Sequence, residues 1–384
     1  METTPHIYTK IADNILQRIE SGELPPGTRL PGVHALGEQF GCNYHTVRHA
    51  FKELEKQGYI DLRPGSGTFI TDKAADHLNL RKTKELGVLL PLKQWGYYVI
   101  SLINQLHHSA AKQGLKLNIR TVSSINIHSA ALAEEFCDQN CCAIILPWLG
   151  KDQKPADLHD FVRASELPVV LPDLIHGLEH HHYRAPRSRQ NNARSATVLQ
   201  GRYFQSLGYE KIALLGSYDD SPEPLRGKVI QYIDWANQEN LPTLLGMAAE
   251  GKRDFNHIID RWLPMKGELA VIAYHDELAL EFMEACKKRG IDIPSDFAVM
   301  GHNNNPNGLR SDPTLSTMLC PYEYIADGMI AHAVALSCGS SRQLRKQGPH
   351  TFHIRESCGG RQKLGDRIDN LTASLIGEQN MHPA

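Results

Sequence analysis

The sequence predicts a multidomain chain in which a small α+β unit precedes a larger α/β region of parallel, doubly wound sheets. Three observations predict it. Val47, Ala50, Phe51 and Leu54 recur at i, i+3, i+4 and i+7, the spacing that puts four apolar side chains on one helical face. Tyr59-Ile60-Asp61-Leu62 then alternates, turns through Arg63-Pro64-Gly65-Ser66-Gly67 and returns as Thr68-Phe69-Ile70, which is a β-hairpin. Beyond residue 85, short apolar runs alternate with helical stretches, the signature of strands buried on both faces between crossover helices.

A length of 384 residues with 41% apolar content supports two or three domains with sizeable cores. Net charge is −2, and residues 1–72 hold seven Lys/Arg against nine Asp/Glu. Attraction to a polyanion must therefore be local. Met1 to Pro5 is not followed by an apolar run, and no stretch approaches eighteen consecutive apolar residues, so a soluble, cytoplasmic protein with no membrane partner is expected. The eight cysteines show no zinc-ribbon spacing and read as reduced thiols.

Residues 8–20 place Ile11, Ile15, Leu16 and Ile19 on one stripe before Ser21-Gly22, a scaffold helix. The run from Leu24 to Pro31 is an extended linker, because its three prolines each fix φ and remove a donor. Residues 32–40 support a short helix, and Gly41 supplies the turn after it. Asn43 suits the N-cap of the next helix and Gly58 its stop. Opposite the apolar stripe of that helix lie His45, Arg48, His49, Lys52 and Lys56. Two helices joined by a tight turn outline a helix-turn-helix whose second member can enter a DNA major groove, and the hairpin makes it winged. The alternative is a solvated face on an ordinary surface helix.

Over residues 5–72, IYTKIADNILQRIESGELPPGTRLP, HTVRHAFKELEKQGYI and RPGSGTFI follow in an order and spacing that resemble the winged-helix DNA-binding domain of the GntR family of transcription regulators. The resemblance implies that Arg29 lies near the DNA backbone and that His34 stands where a base-reading arginine is often found. It also implies contacts from Asn43, Tyr44, His45, Thr46, Arg48 and His49 at the start of the recognition helix, and from Arg63 and Gly65 on the wing. Arg48 keeps the family pattern, whereas Gly32-Val33-His34 and Asn43-Tyr44-His45 depart from it. An atypical operator is expected. Tyr44 could instead pack on the neighbouring helix, and Gly65 and Gly67 could serve only the turn, since glycine tolerates positive φ.

Residues 73–84 are polar and read as a linker. Strands then fall at 85–91, 115–122, 142–147 and 167–171, with helices at 99–113, 130–139 and 155–165 between them. After a loop at 176–190 comes a second series: helix 193–207, strand 211–215, helix 225–239, strand 270–274, helix 276–289 and strand 297–300. VIAYHDELALEFMEACKKRGIDIPSDFAVMGHNN and DPTLSTMLCPYEYIADGMIAHAVAL, preceded by ELGVLLP, AIILP, LPVVLPD and SLGYEKIALLG, resemble the effector-binding core of LacI/GalR-type repressors. That resemblance implies a two-lobed, periplasmic-binding-protein-like (type I) domain over residues 85–358, with lobe 1 at 85–190 plus 320–340 and lobe 2 at 191–319. Residues 359–384 are left as a C-terminal tail, with one short helix expected at 366–376.

In such folds ligands bind outside the carboxyl ends of the strands. That rule nominates Gln94, Trp95, Tyr97 and Tyr98, then Trp148 and Asp173, in the first lobe. In the second lobe it nominates Tyr218, Asp219, Arg226, His275, Asp276, His302, Asn303 and Asn304. Aromatics can stack on a sugar ring, and Asp, Asn and Arg can bond its hydroxyls. Asp276, just before a helix, is favoured as an N-cap over a ligand contact. The family usually has Asn-Asp where this chain has His275-Asp276, and Gly-aromatic-Asp-Asp where it has Gly301-His302-Asn303-Asn304. With two carboxylates fewer, the expected ligand is an acidic or phosphorylated sugar, or else a small molecule of a different class.

His180-His181-His182 invites a metal reading, but no Cys or carboxylate set at ligand spacing accompanies it. No Gly-x-Ser-x-Gly elbow, phosphate loop or HExxH helix is present. The expectation is a non-enzymatic transcription regulator without metal or cofactor. It would be a homodimeric repressor of a two-fold operator, controlled by a sugar or sugar derivative. The competing class is a small-molecule-binding or catalytic α/β protein whose N-terminal helices are only a protein-interaction module.

Overall fold

Three helices and a hairpin form the N-terminal unit: α1 Ile7–Glu20, α2 Val33–Phe40, α3 Tyr44–Lys56, β1 Ile60–Arg63 and β2 Gly67–Ile70. The computed structural model describes residues 7–20, 23–71, 74, 85–91, 96–125, 130–149, 153–171, 181, 195–220, 222–249, 251, 254–337 and 348–381. Ile11, Ile15, Leu16, Leu36, Val47, Ala50, Phe51, Leu54, Tyr59 and Ile70 share one core, so both stripes read from the sequence point inward. Gly41 closes α2 in the left-handed region at φ 62°. Gly37 lets the turn pack back, since a Cβ there would lie 2.8 Å from the Cys42 carbonyl oxygen, which itself leads into the turn. The proline-rich linker adds an unexpected third rung to the wing. Arg29 bridges Phe69, with Leu30 N–H donating to Thr68 O at 2.8 Å and Ile70 N–H to Thr28 O at 2.9 Å.

Two sheets form the rest. The first holds β3 Glu85–Pro91, β4 Lys116–Val122, β5 Cys141–Ile145 and β6 Val169–Val170 in the order β4-β3-β5-β6, every pair parallel. Helices α4 Tyr97–Lys112, α5 Ala130–Asp138 and α6 Pro155–Ala164 connect them. Leu86, Val88 and Leu90 pack with Leu102 and Leu106 on one face, while Leu89 and Ile144 meet Phe136 and Phe161 on the other. Coverage on both faces is why these strands read as unbroken apolar runs.

The second sheet holds β7 Lys211–Ser217, β8 Leu244–Ala248, β9 Leu269–Ala273, β10 Phe297–His302, β11 Ser316–Leu319 and β12 Thr351–His353. Their order is β12-β11-β10-β9-β7-β8, parallel except at the β11/β12 edge. Helices α7 Ala196–Ser206, α8 Pro222–Gln238, α9 Asn256–Trp262 and α10 Asp276–Lys288 belong to it. Strand β8 and helix α9 are not legible in the sequence. Gly246 interrupts the apolar run because a Cβ there would lie 2.6 Å from the Trp262 ring. After β11 the chain returns to the first sheet as α11 Tyr322–Ser337, whose Ile325, Met329 and Ile330 join the core of Leu86 and Leu90. It then crosses back to supply β12.

The segment beyond Gly359 is not a detached tail. Helices α12 Gly360–Leu364 and α13 Arg367–Met381 close one face of the second sheet, with Ile368 and Leu375 buried against Tyr203, Phe204 and Trp235. The helix expected at 366–376 is thus longer and structural. Among the described residues, no helix is long and apolar enough to cross a membrane.

Candidate functional site

Two sites emerge, one on the helix-turn-helix and one between the sheets. At the first, Asn43 caps α3: its Oδ1 accepts Thr46 N–H at 3.0 Å and Thr46 Oγ1–H at 3.1 Å. Both side chains are thereby occupied in building the helix start. Tyr44, His45, Arg48, His49 and Lys52 are exposed on one face, and Tyr44 does not pack into the core. Its ring lies between imidazoles, 5.4 Å from His34 on α2 and 4.0 Å from His45. His49 meets Tyr8 of α1 edge-on at 4.4 Å. The start of α3 therefore presents a row of flat rings, with Arg48 one turn further along.

On the wing, Gly65 has φ 75° and Gly67 φ 119°, values that favour glycine. At Gly67 a Cβ would lie 2.7 Å from Arg29 Nε, so a side chain there would displace the arginine. The Arg29 side chain thus lies along the hairpin. Arg63 is held by Asp61 at 2.8 Å and sits 4.7 Å above the Phe69 ring.

The second site lies where strands of both sheets end. Gln94, Trp95 and Asp173 fall outside the described residues, as do His180 and His182 of the histidine run. His181 is tied to the first sheet through its Nδ1, 2.9 Å from the Val169 carbonyl. On the first-lobe side Tyr98 touches Trp148 at 5.9 Å and Tyr322 at 5.6 Å, ring to ring. Tyr322 Oη–H reaches Asn303 O of the second lobe at 3.5 Å.

On the second-lobe side the structure corrects one expectation and adds neighbours to others. Asp276 is not the N-cap of α10; His275 is, with Nδ1 facing Leu278 N–H at 3.1 Å. Asp276 is buried, accepting Thr317 Oγ1–H at 2.6 Å and Asn305 N–H at 2.5 Å, and burial pushes its carboxyl up to about 7. Arg226 is on the exposed side of α8. Two residues on, roughly 200° around the helix, Lys228 turns inward, donating to Tyr274 O at 2.7 Å and contacting His302 Nδ1 at 3.0 Å. Burial pulls Lys228 down to about 8. Tyr218 is 63% exposed, and the Asp219 carboxylate accepts Gly251 N–H at 3.1 Å. The Asn304 amide oxygen takes Arg355 Nη2–H at 2.6 Å.

The acid thought to be missing is supplied from adjacent positions. His275 Nε2 lies 2.9 Å from Asp220, and its Nδ1 lies 3.1 Å from Glu277. Burial opposes the imidazolium, but carboxylates on both nitrogens prevail and raise the ring to about 9. Doubly protonated, the ring cannot also accept from Leu278 N–H, so the ion pairs take precedence. Burial works against the Glu277 carboxylate too, yet its bonds from His275 and from the Tyr97 amide bring it down to about 2. Asp220, Lys228, Glu277, Asn305, Tyr322 and Arg355 were all missed from sequence. Asp220, Lys228, Glu277 and Asn305 lie within two residues of nominated positions, which was the available signal; Tyr322 and Arg355 carried none.

Among the described residues, the His275 imidazolium is thus matched by Asp220 and Glu277. Ten buried side-chain polar atoms lack a hydrogen-bond partner among the described residues, and Trp148 Nε1, His302 Nε2 and Asn303 Oδ1 of this cleft are three of them. Because Lys228 donates to His302 Nδ1, the His302 proton sits on Nε2. Two donors and one acceptor are thus left unsatisfied along the contact run Trp148–Tyr98–Tyr322–Asn303. Asn303 and Asn304 hold positive φ, 101° and 58°, a strain that concentrates at ligand sites.

The raised His275 sets a pH dependence. A group whose folded pKa lies above its unfolded value stabilises fully below about 6.5, and loses that effect as pH rises through about 9. The stability difference between the wild type and His275→Gln is expected to reach at most about 3 kcal/mol near pH 6 and to vanish by pH 10. Urea midpoints across that range check it. A difference that stays constant with pH would mean the ring is not charged in the folded protein.

Residues 7–70 match the family model described as bacterial regulatory proteins, gntR family, and residues 202–358 match that of a periplasmic binding protein-like domain. The chain is 23% identical over 335 residues to the arabinose metabolism transcriptional repressor of Geobacillus stearothermophilus, spanning 83% of this chain and 88% of that protein. It is 35% identical over 99 residues to the HTH-type transcriptional regulator YhcF of Bacillus subtilis (strain 168), 25% of this chain and 82% of that protein. Among solved structures, a periplasmic binding protein/LacI transcriptional regulator from Alkaliphilus metalliredigens QYMF complexed with D-xylulofuranose superposes with TM-score 0.54 at 17% identity, over 72% of this chain and 99% of that one. A LacI family regulator from Enterococcus faecium with bound ribose gives TM-score 0.54 at 17% identity, over 71% and 98%. At these identities the structural likeness speaks for the fold alone.

Proposed function

Because this chain belongs to the GntR family of bacterial regulatory proteins and is a DNA-binding regulator of transcription, we propose that it is a repressor released by a small polyhydroxylated ligand held between its lobes. The observation that carries the ligand reading is the set of unsatisfied atoms Trp148 Nε1, His302 Nε2 and Asn303 Oδ1. An unpaired buried polar group costs about 1–3 kcal/mol, and a hydroxyl, at once donor and acceptor, suits all three. Tyr98, Trp148 and Tyr322 supply an aromatic wall, and Asn303 with His302 the polar floor. Tyr97, Tyr218, Asp219, His275, Asp276 and Asn304 support the cleft in this reading, and exposed Arg226 would act only at its rim; Gln94, Trp95 and Asp173 are kept as ligand candidates on the sequence alone.

On DNA, Arg48, Tyr44, His45, His34 and His49 face the groove, Arg29 and Arg63 meet phosphates or the minor groove, and Asn43, Thr46 and Gly65 set the helix start and the wing. A homodimer working in the cytoplasm matches a two-fold operator. Relatives whose names describe an arabinose metabolism repressor support a sugar effector.

The test has two arms. A selection from random duplexes gives the operator, and a thermal-shift screen against pentoses, hexoses, sugar acids, sugar phosphates and nucleosides gives the ligand. A ligand at a hundred times its Kd adds about 2.7 kcal/mol and is expected to weaken operator binding. A hit confined to sugar phosphates would overturn the uncharged-ligand reading, and a ligand that tightens operator binding would overturn release.

A further inference from the structure

One contact in the cleft joins the two lobes through a carboxylate. Glu277, the second residue of α10, accepts the backbone N–H of Tyr97 at 3.0 Å, and Tyr97 is the first residue of α4 in the other lobe. The same oxygen takes Asn305 Nδ2–H at 3.0 Å. Its other oxygen faces His275 Nδ1 at 3.1 Å, and His275 is anchored in turn on Asp220 at 2.9 Å. Glu277 is thus held by two side chains within the second lobe and presents its charge to the open end of a helix in the first. That end welcomes it: the first N–H groups of a helix lack internal partners and carry partial positive charge. Gly96, the N-cap of α4, offers no side-chain cap of its own, so the neighbouring lobe supplies the capping group.

We infer that Glu277 is an inter-lobe latch, a positioning residue that holds the cleft closed in the absence of ligand by capping α4 from the opposite lobe. The inference rests on the reading of this cleft as the effector site, which it deepens by naming what controls its opening. Opening the cleft breaks a charge-assisted bond and leaves the Tyr97 amide and the Glu277 carboxylate to find water. A ligand that enters does so against this contact, and its apparent affinity carries the cost of the opening. The effector response is therefore set by a residue that needs no contact with the ligand.

Hydrogen exchange on the full-length, unliganded protein tests the latch without knowledge of the ligand or the operator. In Glu277→Ala the peptide containing Tyr97 is expected to exchange about tenfold faster, while strands β9 and β10 keep their protection. The radius of gyration from X-ray scattering should rise. Glu277→Gln keeps an acceptor oxygen without the charge and is expected to fall between the wild type and the alanine variant. A group that only stabilised the second lobe would instead speed exchange across its sheet and leave α4 unchanged, and that outcome overturns the proposal. Should the alanine variant fail to fold, the glutamine variant carries the comparison alone, and unchanged Tyr97 exchange in it overturns the latch equally. Because no ligand is present, a positive result stands even if the thermal-shift screen finds nothing, and the two failures remain distinguishable.

Discussion

Arg48→Ala is expected to weaken operator binding about 5- to 150-fold, the equivalent of about 1–3 kcal/mol for a groove-facing arginine. Arg48 lies one turn into α3, is exposed, and forms no ion pair among the described residues. Its removal costs the fold little, so the loss can be read as a loss of recognition. Mobility shift or fluorescence anisotropy on the selected operator measures it, with a thermal scan to confirm an unchanged midpoint. The salt dependence adds a second reading. If the guanidinium meets a phosphate, all sequences weaken alike and the salt slope falls by about one; if it meets a base, discrimination at one position relaxes. Full affinity in the variant would place the recognition surface elsewhere and reopen the protein-interaction reading of the N-terminal unit.

A second large effect is expected at Gly301, at the end of β10. A Cβ there would lie 2.0 Å from Asp276 Oδ1 and 3.1 Å from the Asp276 Cα. The second distance matters more, because backbone cannot swing aside as a side-chain tip can. Gly301→Ala must push Asp276 off the Thr317 hydroxyl and the Asn305 amide, leaving a buried carboxyl and two buried donors unpaired. Overpacking at about 1–3 kcal/mol and unmet polar groups at about 1–3 kcal/mol each bring the expected cost to about 4 kcal/mol. For a lobe of this size that is a midpoint lower by about 10 °C. Operator binding should survive, since the winged-helix core is built from its own residues between Ile11 and Ala74, while the ligand response should disappear. An unchanged midpoint would show that the strand end yields to an extra methyl.

Elements that carry their periodicity in the side chains were legible in the sequence. The stripe Val47, Ala50, Phe51 and Leu54, the hairpin glycines and most parallel strands could be read because burial on known faces dictated residue type. Strand β8 could not, since Gly246 answers to the Trp262 ring rather than to its own strand. The last helix was half legible: Ile368, Leu371, Leu375 and Ile376 have helical spacing, but nothing local says which sheet they cover. The strand-end rule nominates residues that the structure brings together at the ends of both sheets, but it left out the charged groups that bond to them. Lys228, two residues from the outward-facing Arg226, shows why. Which of two neighbouring charges turns inward depends on the phase of a helix, which an apolar run constrains only to within a residue or two.

The placement of α13 against the second sheet also fixes an order of events during synthesis. The winged-helix core is complete once Ala74 has been made, whereas Ile368 and Leu375 are the last buried apolar side chains among the described residues of the second sheet's core. At 5–20 residues per second, roughly 15–60 s separate the two. Throughout that interval the DNA-reading unit can be finished while the sheet that answers to ligand still lacks its cover. Under the proposed function, each newly made chain would complete its DNA-reading unit before its ligand-binding unit, and a variant lacking residues 360–381 is expected to keep the first without acquiring the second.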